Sequence, residues 1–384
     1  MKKMFALVLA LLMIAGSMVA LSACKKEEDN KIQIGMSGPL TGGNAVYGTA
    51  VKNAAQMAID EINAAGGLNG IELELIALDD QAASANVNAN YAALIERGMQ
   101  VSLGCVTTGA GLEFKELSKE DNVFFLTPSA TGDAIPEYAN GYQMCFADSN
   151  QGGEAARYVN TLGLGKIGIL YRNDDAYSKG IYDQFKAALN TGITTVEATF
   201  EGDTPTDLST QIQALKECNF IFMPIYYTPA ATFMTQAKEI MSRDTVYYGC
   251  DGFDGIESAD GFDINAIPQK VSMLSHFDSK ATTGAAGDFV KKYTEKYGKE
   301  TLNQFGASAY DCVYAIFNAM KKATEAGKEI TATTSASDLC EILKEQFNGG
   351  YSFSGVTGEN VTWQSSGYVS KTAKYVVIKD VSVG

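Results

Sequence analysis

Few side chains in this 384-residue sequence stand where bond-making chemistry would need them. The single histidine, His276, has no nucleophile or metal ligand at a spacing that would make it a general base. Of the seven cysteines, Cys105, Cys145, Cys218, Cys250, Cys312 and Cys340 are scattered rather than set at ligand spacing. A Cys/His zinc site is therefore not expected, nor any other metal. The same cysteines suit either disulfides outside a cell or free, buried thiols. Gly163-Leu164-Gly165-Lys166-Ile167-Gly168 satisfies G-x-G-x-x-G, but a dinucleotide loop must follow a strand and open a helix. This one follows a helical pattern and runs into a strand, so its glycines read as a helix stop and a turn. Gly42-Gly43 precedes a helix without the Gly-Lys-Ser/Thr of a P-loop, although a helix start still offers free N–H groups to an anion. No nucleophile elbow, histidine pair or protease signature occurs. Acidic pairs such as Asp79-Asp80 and Asp174-Asp175 are ordinary in an acidic chain. The expectation is a protein that holds something without transforming it, with no cofactor.

One residue does predict chemistry at the chain's start. Lys2 and Lys3 precede a nearly unbroken apolar run, residues 5–21, closed by Leu21-Ser22-Ala23-Cys24. The pattern resembles a bacterial lipoprotein signal. It implies a signal peptide over 1–23, cleavage before Cys24 and a diacylglyceryl thioether on that cysteine. A membrane span needs about 20 apolar residues, and this run is slightly short and ends in a processing site. Residues 24–31, mostly charged, cannot bury enough apolar area to fold and read as a tether. The protein is thus expected on the outer face of the cell membrane, held by lipid alone.

The 360 residues after Cys24 suit two domains rather than one small core. Without Lys2 and Lys3 they carry 28 basic against 45 acidic residues, a net charge of −17. That balance opposes nucleic-acid binding and adhesion to anionic lipid.

The elements that must position any site alternate strand and helix. Residues 32–36 alternate as a strand, and Val51, Ala55, Ala58, Ile59 and Ile62 recur at helical spacing up to Gly66-Gly67. A strand over 73–78, a helix from Ser84 to near Gly98, a strand at 101–103, a helix over 112–120 and a strand at 123–126 complete a first run. The rhythm restarts after Asn150, with helices over 154–162, 182–189, 208–216 and 230–241. Strands are expected there over 166–171, 196–200, 220–224 and 246–249. Residues 277–347 are mainly helical, and 361–363 and 375–378 return to strand. Short strands alternating with such helices predict an α/β fold of βαβ units on parallel sheets, in two domains.

Several segments carry a family resemblance. They are Gly35-Met36-Ser37-Gly38-Pro39-Leu40-Thr41-Gly42 with Tyr47-Gly48, then Ala58-Ile59-Asp60-Glu61-Ile62-Asn63-Ala64-Ala65-Gly66-Gly67-Leu68-Asn69-Gly70, and Leu78-Asp79-Asp80. Thr127-Pro128-Ser129-Ala130-Thr131, the stretch from Asn173 to Tyr177-Ser178, and Gly249-Cys250-Asp251-Gly252-Phe253 follow. Their order and spacing resemble the branched-chain amino acid ABC transporter substrate-binding proteins across essentially all of the chain after Cys24. The resemblance implies a type I periplasmic-binding-protein fold, with two Rossmann-like lobes, three hinge crossings and ligand in the cleft. Lobe 1 would comprise 32–148 and 277–355, and lobe 2 would comprise 149–276 and 356–384. It implies a monomer that captures an amino acid, branched-chain or otherwise apolar, and delivers it to a permease with ATPase subunits. Receptors of the same fold for an amide, a urea or an aromatic acid, or a ligand-presenting sensory lipoprotein, are the alternatives.

Residue by residue, the resemblance assigns Thr108 and the hydroxyl and N–H of Thr131 to the ligand carboxylate. It assigns the carbonyl of Ser129 to the ammonium, with Asp251 as acidic partner where the best-known members carry glutamate. Tyr177 and Tyr226 come from the second lobe, and Tyr47 would line the side-chain pocket. The set is chemically consistent, because a zwitterion in a closed cleft must have both charges satisfied.

Overall fold

The computed structural model describes residues 30–380. Cys24 and the signal segment 1–23 lie outside the described residues, as does most of the tether. The first lobe runs β1 (Lys31–Gly38), α1 (Ala45–Ala64), β2 (Glu72–Asp79), α2 (Ser84–Glu96), β3 (Val101–Cys105), α3 (Thr108–Glu120), β4 (Phe125–Thr127) and β5 (Gly141–Gln143). Its sheet has the order β2-β1-β3-β4-β5 with every pairing parallel. Ile32, Ile34 and Met36 of β1 are buried on one face and Gly35 is buried on the other. Two-sided burial is the usual state of a central parallel strand.

The second lobe follows with α4 (Asp148–Thr161), β6 (Lys166–Arg172), α5 (Ala176–Ala188), β7 (Thr194–Phe200), α6 (Ser209–Leu215), β8 (Phe220–Met223), α7 (Tyr227–Ala237), β9 (Val246–Gly249) and β10 (Lys270–Ser275). Then come α8 (Gly284–Tyr297), α9 (Gln304–Glu325), α10 (Ala336–Asn348), β11 (Ser352–Phe353), β12 (Val361–Thr362) and β13 (Lys374–Lys379). The second sheet has the order β13-β10-β9-β8-β6-β7, parallel except for the antiparallel β10–β13 pair. Gly163 stops α4 at φ +65°, and the chain enters β6 at Lys166. The G-x-G-x-x-G run is therefore the helix stop and turn that its context predicted.

The helical third stretch returns to the first lobe. Tyr310 and Tyr314 of α9 both donate to Glu61 Oε2 on α1, at 2.6 and 2.9 Å. Asn122, after α3, donates to Ser337 and Glu341 of α10. The last crossing comes later than the expected break at 355/356. Trp363 Nε1 donates to the Gln143 carbonyl at 2.8 Å, and its ring packs on Phe347, centroids 4.6 Å apart. Gln143 N donates to the Gly367 carbonyl, and Tyr368 donates to the Asp133 carbonyl. Residues 356–368 thus stay on the first lobe because their large apolar groups bury against its aromatic cluster, and the chain rejoins the second sheet only at β13. Sequence reading also passed over the three-residue β5 and the six-residue β10. All six cysteines among the described residues are buried and free.

Both sheets reverse strand order, at β1/β3 in the first and β6/β8 in the second. In open parallel sheets, the crevice beyond the strand C-termini at such a switch point is where ligands sit. Six of the seven residues singled out from the sequence follow within a few positions of a strand end: Thr108 after β3, Ser129 and Thr131 after β4, Tyr177 after β6, Tyr226 after β8 and Asp251 after β9. Tyr47 lies on the first turn of α1, after β1.

Candidate functional site between the lobes

The first-lobe wall is built from two strand ends. Thr107, extended at φ −95° and ψ 150°, precedes α3 as its N-cap, with its Oγ1 buried and unpartnered. The hydroxyl of the neighbouring Thr108 accepts the Gly132 N–H at 3.2 Å, tying the α3 start to the loop after β4. In that loop Thr127 Oγ1 accepts from Ser129 N and Ala130 N, which turns the chain. No described residue donates to the Ser129 carbonyl. Thr131 is fully buried, and its hydroxyl has no hydrogen-bond partner among the described residues.

The first crossing leads into α4, which starts at Asp148. Asp148 N donates to the Thr131 carbonyl at 2.8 Å. Burial pushes the Asp148 carboxyl well above the usual range, and the nearby Thr131 hydroxyl opposes the rise. The two side chains do not meet as a hydrogen bond, and both Thr131 Oγ1 and Asp148 Oδ1 are left over. One turn on, Gln151 Oε1 accepts from Asp251 N at 3.0 Å while Gln151 Nε2 is unpartnered.

The second-lobe wall centres on Asp251, which opens a short 3-10 turn after β9 and is 1% exposed. Burial raises its carboxyl to about 7, against the opposing hydrogen bonds of Tyr177 and Gln151. Tyr177 Oη donates to Asp251 Oδ1 at 2.5 Å. The position of Tyr177 is itself determined, because Asp175 caps α5 through Ser178 N at 3.0 Å. The Tyr177 ring lies parallel to that of Tyr226, 4.5 Å between centroids and 2° between planes. No lysine or arginine bonds to Asp251 or Asp148 among the described residues.

Tyr47 joins the walls. From α1 its hydroxyl donates to the Gly252 carbonyl at 2.5 Å and accepts from Tyr227 N at 3.2 Å. Its ring meets Tyr227 and Phe305 edge-on, each at 5.0 Å, and Tyr226 at 5.7 Å. Thr228 Oγ1 donates to the Gly43 carbonyl beside it, at 2.6 Å. Asp254 Oδ2 accepts Gln304 N at 2.8 Å, tying the same 3-10 turn to the start of α9. The lobes are therefore in contact, a closed arrangement.

Tyr47, Tyr177, Tyr226 and Asp251 are joined by contacts, and Thr131 connects to them through α4, whereas Thr108 and Ser129 are held in the first-lobe wall beside Thr131. A cavity of about 430 Å³ runs between the lobes beside them, with Asn44, Thr107 and Gly109 on one side and Arg172, Asp174 and Tyr226 on the other. A larger one, about 630 Å³, lies between the α1 start and α7 and touches none of the seven. Sequence reading missed Thr107, Asp148 and Gln151. A threonine between a strand and a helix is a visible cap signal. Asp148 and Gln151 give only an i,i+3 pair at a helix start, and only the fold brings them to Asp251. His276 makes none of these hydrogen bonds; its Nε2 is bonded to Ser308 Oγ at 2.7 Å and its ring meets Phe146 edge-on.

A sequence profile of the periplasmic binding protein family matches residues 31–376. A Leu/Ile/Val-binding protein of Rhizobium johnstonii, BraC3, is 31% identical over 233 residues, covering 59% of this chain and 63% of that protein. A leucine-, isoleucine-, valine-, threonine- and alanine-binding protein of Pseudomonas aeruginosa is 28% identical over 316 residues, 78% of this chain and 81% of the relative. The solved structure of the branched-chain amino acid transporter substrate-binding protein LivJ from Streptococcus pneumoniae, in complex with isoleucine, superposes with a TM-score of 0.78. It is 26% identical and covers 91% of this chain and 98% of that one.

Proposed function

Since this chain belongs to the periplasmic binding protein family, whose members are solute-binding proteins and not enzymes, we propose that it captures an α-amino acid with an apolar, branched-chain type of side chain by closing its two lobes. The observation that carries this reading is Asp251, a carboxyl 1% exposed at the start of the turn after β9, with no basic side chain among the described residues bonded to it. A buried carboxylate calls for a cation, and an ammonium supplies one. On the first lobe, the α3 start and the Thr107 and Thr131 hydroxyls, which lack partners among the described residues, are donors for a carboxylate. The Ser129 carbonyl is a second acceptor for the ammonium. Tyr226 and Tyr47 supply ring surface for an apolar side chain.

In this reading ligand contacts both lobes, favours the closed arrangement by differential binding, and the closed form presents a surface for a permease with its ATPase subunits. A lipid on Cys24 would keep the monomer at the outer face of the membrane. The amino acids that the relatives are named for, leucine, isoleucine and valine among them, support the ligand class.

The test is a thermal-shift series on the mature domain with L-isoleucine, L-leucine, L-valine, L-alanine, benzoate and urea. A ligand at about 100 times its Kd adds roughly 2.7 kcal/mol to the folded state and raises the midpoint. A rise with the amino acids and none with benzoate or urea is expected. A flat response to every α-amino acid would refute the ligand class.

A further inference from the structure

A tyrosine hydroxyl has one proton to donate and room to accept two. Tyr177 spends all three. Its proton goes to Asp251 Oδ1 at 2.5 Å, the Gly252 N–H donates back to it at 2.9 Å, and the Cys250 thiol lies 2.7 Å away on the remaining side. The ring is buried and stacked on Tyr226, so the hydroxyl cannot swing toward a ligand. The approach is close enough to constrain the sequence beside it. A Cβ at position 252 would stand 2.6 Å from the Tyr177 oxygen, so only glycine fits.

We propose that Tyr177 is a positioning residue rather than a ligand contact: its hydroxyl clamps the Asp251 carboxylate and the following N–H, while Gln151 fixes the Asp251 backbone, so that the acid that receives the ligand's cationic group is aimed and biased toward its charged form. This deepens the amino-acid reading and rests on it for the ligand, but the clamp itself can be measured without one.

The groups facing Asp251 oppose its charge or are neutral. Asp148 comes from α4 and Asp254 from the same 3-10 turn, both carboxyls raised by burial. The Cys145 and Cys250 thiols and the Tyr47 and Tyr226 phenols are likewise raised by burial, each with Asp251 as a further cause. Against that surrounding, the Tyr177 proton is the largest influence that favours the carboxylate. Removing it must move the acid toward its neutral form.

Tyr177→Phe keeps the ring stack and deletes only the hydroxyl. The first readout is the carboxyl titration of ligand-free protein carrying ¹³C-labelled aspartate, with Asp251→Asn used to assign the signal. The Asp251 midpoint should rise by roughly one to two pH units in Tyr177→Phe, as expected for loss of a hydrogen bond to a charged group. The second is calorimetry with L-isoleucine. Affinity should fall about tenfold at pH 7 and come within about threefold of the parent at pH 9, where the acid is ionised in both. An unmoved midpoint overturns the proposal. So does an affinity loss of equal size at both pH values, which would mean direct ligand contact or lost packing, and so does a moved midpoint with unchanged affinity at pH 7. If the parent protein takes up no α-amino acid, the functional reading fails, and the ligand-free titration still decides whether Tyr177 clamps the acid.

Discussion

Asp251→Asn should move stability and affinity in opposite directions. The carboxyl sits near pKa 7 in the folded protein, against 3.8 for the free side chain, because burial disfavours its charge. At about 1.4 kcal/mol per tenfold, that difference corresponds to about 4 kcal/mol. The folded state binds the proton more tightly than the unfolded chain, so the site lowers stability as pH climbs through the window from about 4 to about 7, and the penalty is constant above it. Asparagine has almost the same shape and no charge. In the ligand-free protein it should therefore stabilise by up to about 4 kcal/mol at pH 8, shrinking by more than half at pH 5, where the native carboxyl is already protonated. Ligand should respond the other way. Losing one charge-assisted partner costs about 1.5–3 kcal/mol, or roughly 10- to 150-fold in Kd. Denaturant unfolding of ligand-free protein at pH 5 and pH 8, with calorimetry of L-isoleucine at pH 8, measures both. A variant that is less stable at pH 8 and binds as tightly as the parent would refute the argument that this acid is held uncompensated for a cationic ligand.

Three further outcomes follow from other contacts. Tyr47→Phe leaves the Gly252 carbonyl and Tyr227 N–H without their shared interlobe partner, at a cost of about 1–3 kcal/mol to the closed form. Affinity should fall about tenfold, and small-angle scattering of ligand-free protein should show a larger radius of gyration. Lys371, buried on the first lobe, donates to Thr357 Oγ1, which in turn donates to Asp311 Oδ2, and Asp311 also accepts from Val356 N and Thr357 N at 2.8 Å. Lys371→Met strands the Asp311 charge and should cost about 3–5 kcal/mol in urea unfolding at pH 8. The loss should be smaller at pH 5, because burial raises the Asp311 carboxyl and lets it take up a proton. Cys24→Ser should leave ligand affinity unchanged and shift the protein from the membrane fraction to the soluble one, with mass spectrometry of the parent showing the thioether-linked lipid.

The two-run α/β rhythm was legible because the strand–helix units carry their own periodicity and several end on a glycine stop, as at Gly66-Gly67, Gly98 and Gly163. The candidate residues could be assigned to strand C-termini because parallel sheets put loops there, and the motif residues sit on those loops. Roles were less legible than places. Nothing local to Tyr177 says that its proton goes to a residue 74 positions on. Nothing near Asp148 or Gln151 says that the first crossing will carry them to the same acid. The last crossing was misplaced for a similar reason: Val361-Thr362-Trp363 reads as strand, but which lobe it joins is decided by Trp363 reaching Gln143, 220 residues earlier. Local pattern specifies elements; long-range burial and polar satisfaction specify partners.

The turn after β9 ties these observations into one mechanism. Its Gly252 N–H and the Asp251 carboxylate are gripped from within the second lobe by Tyr177, while its Gly252 carbonyl is gripped from the first lobe by Tyr47. Asp254, three residues after Asp251, reaches the start of α9 in the first lobe. In the proposed function, a ligand cation drawn to Asp251 would act on the same short segment that registers lobe contact. Aspartate in place of the longer glutamate fits that arrangement, since a shorter acid anchored at both carboxyl and backbone has less freedom to follow a misplaced ligand. In the proposed function, a ligand without an ammonium would leave Asp251 to protonate instead. It would then forgo the contact that distinguishes closed from open, so discrimination against uncharged solutes should weaken as pH falls below 7, where the empty site is already neutral.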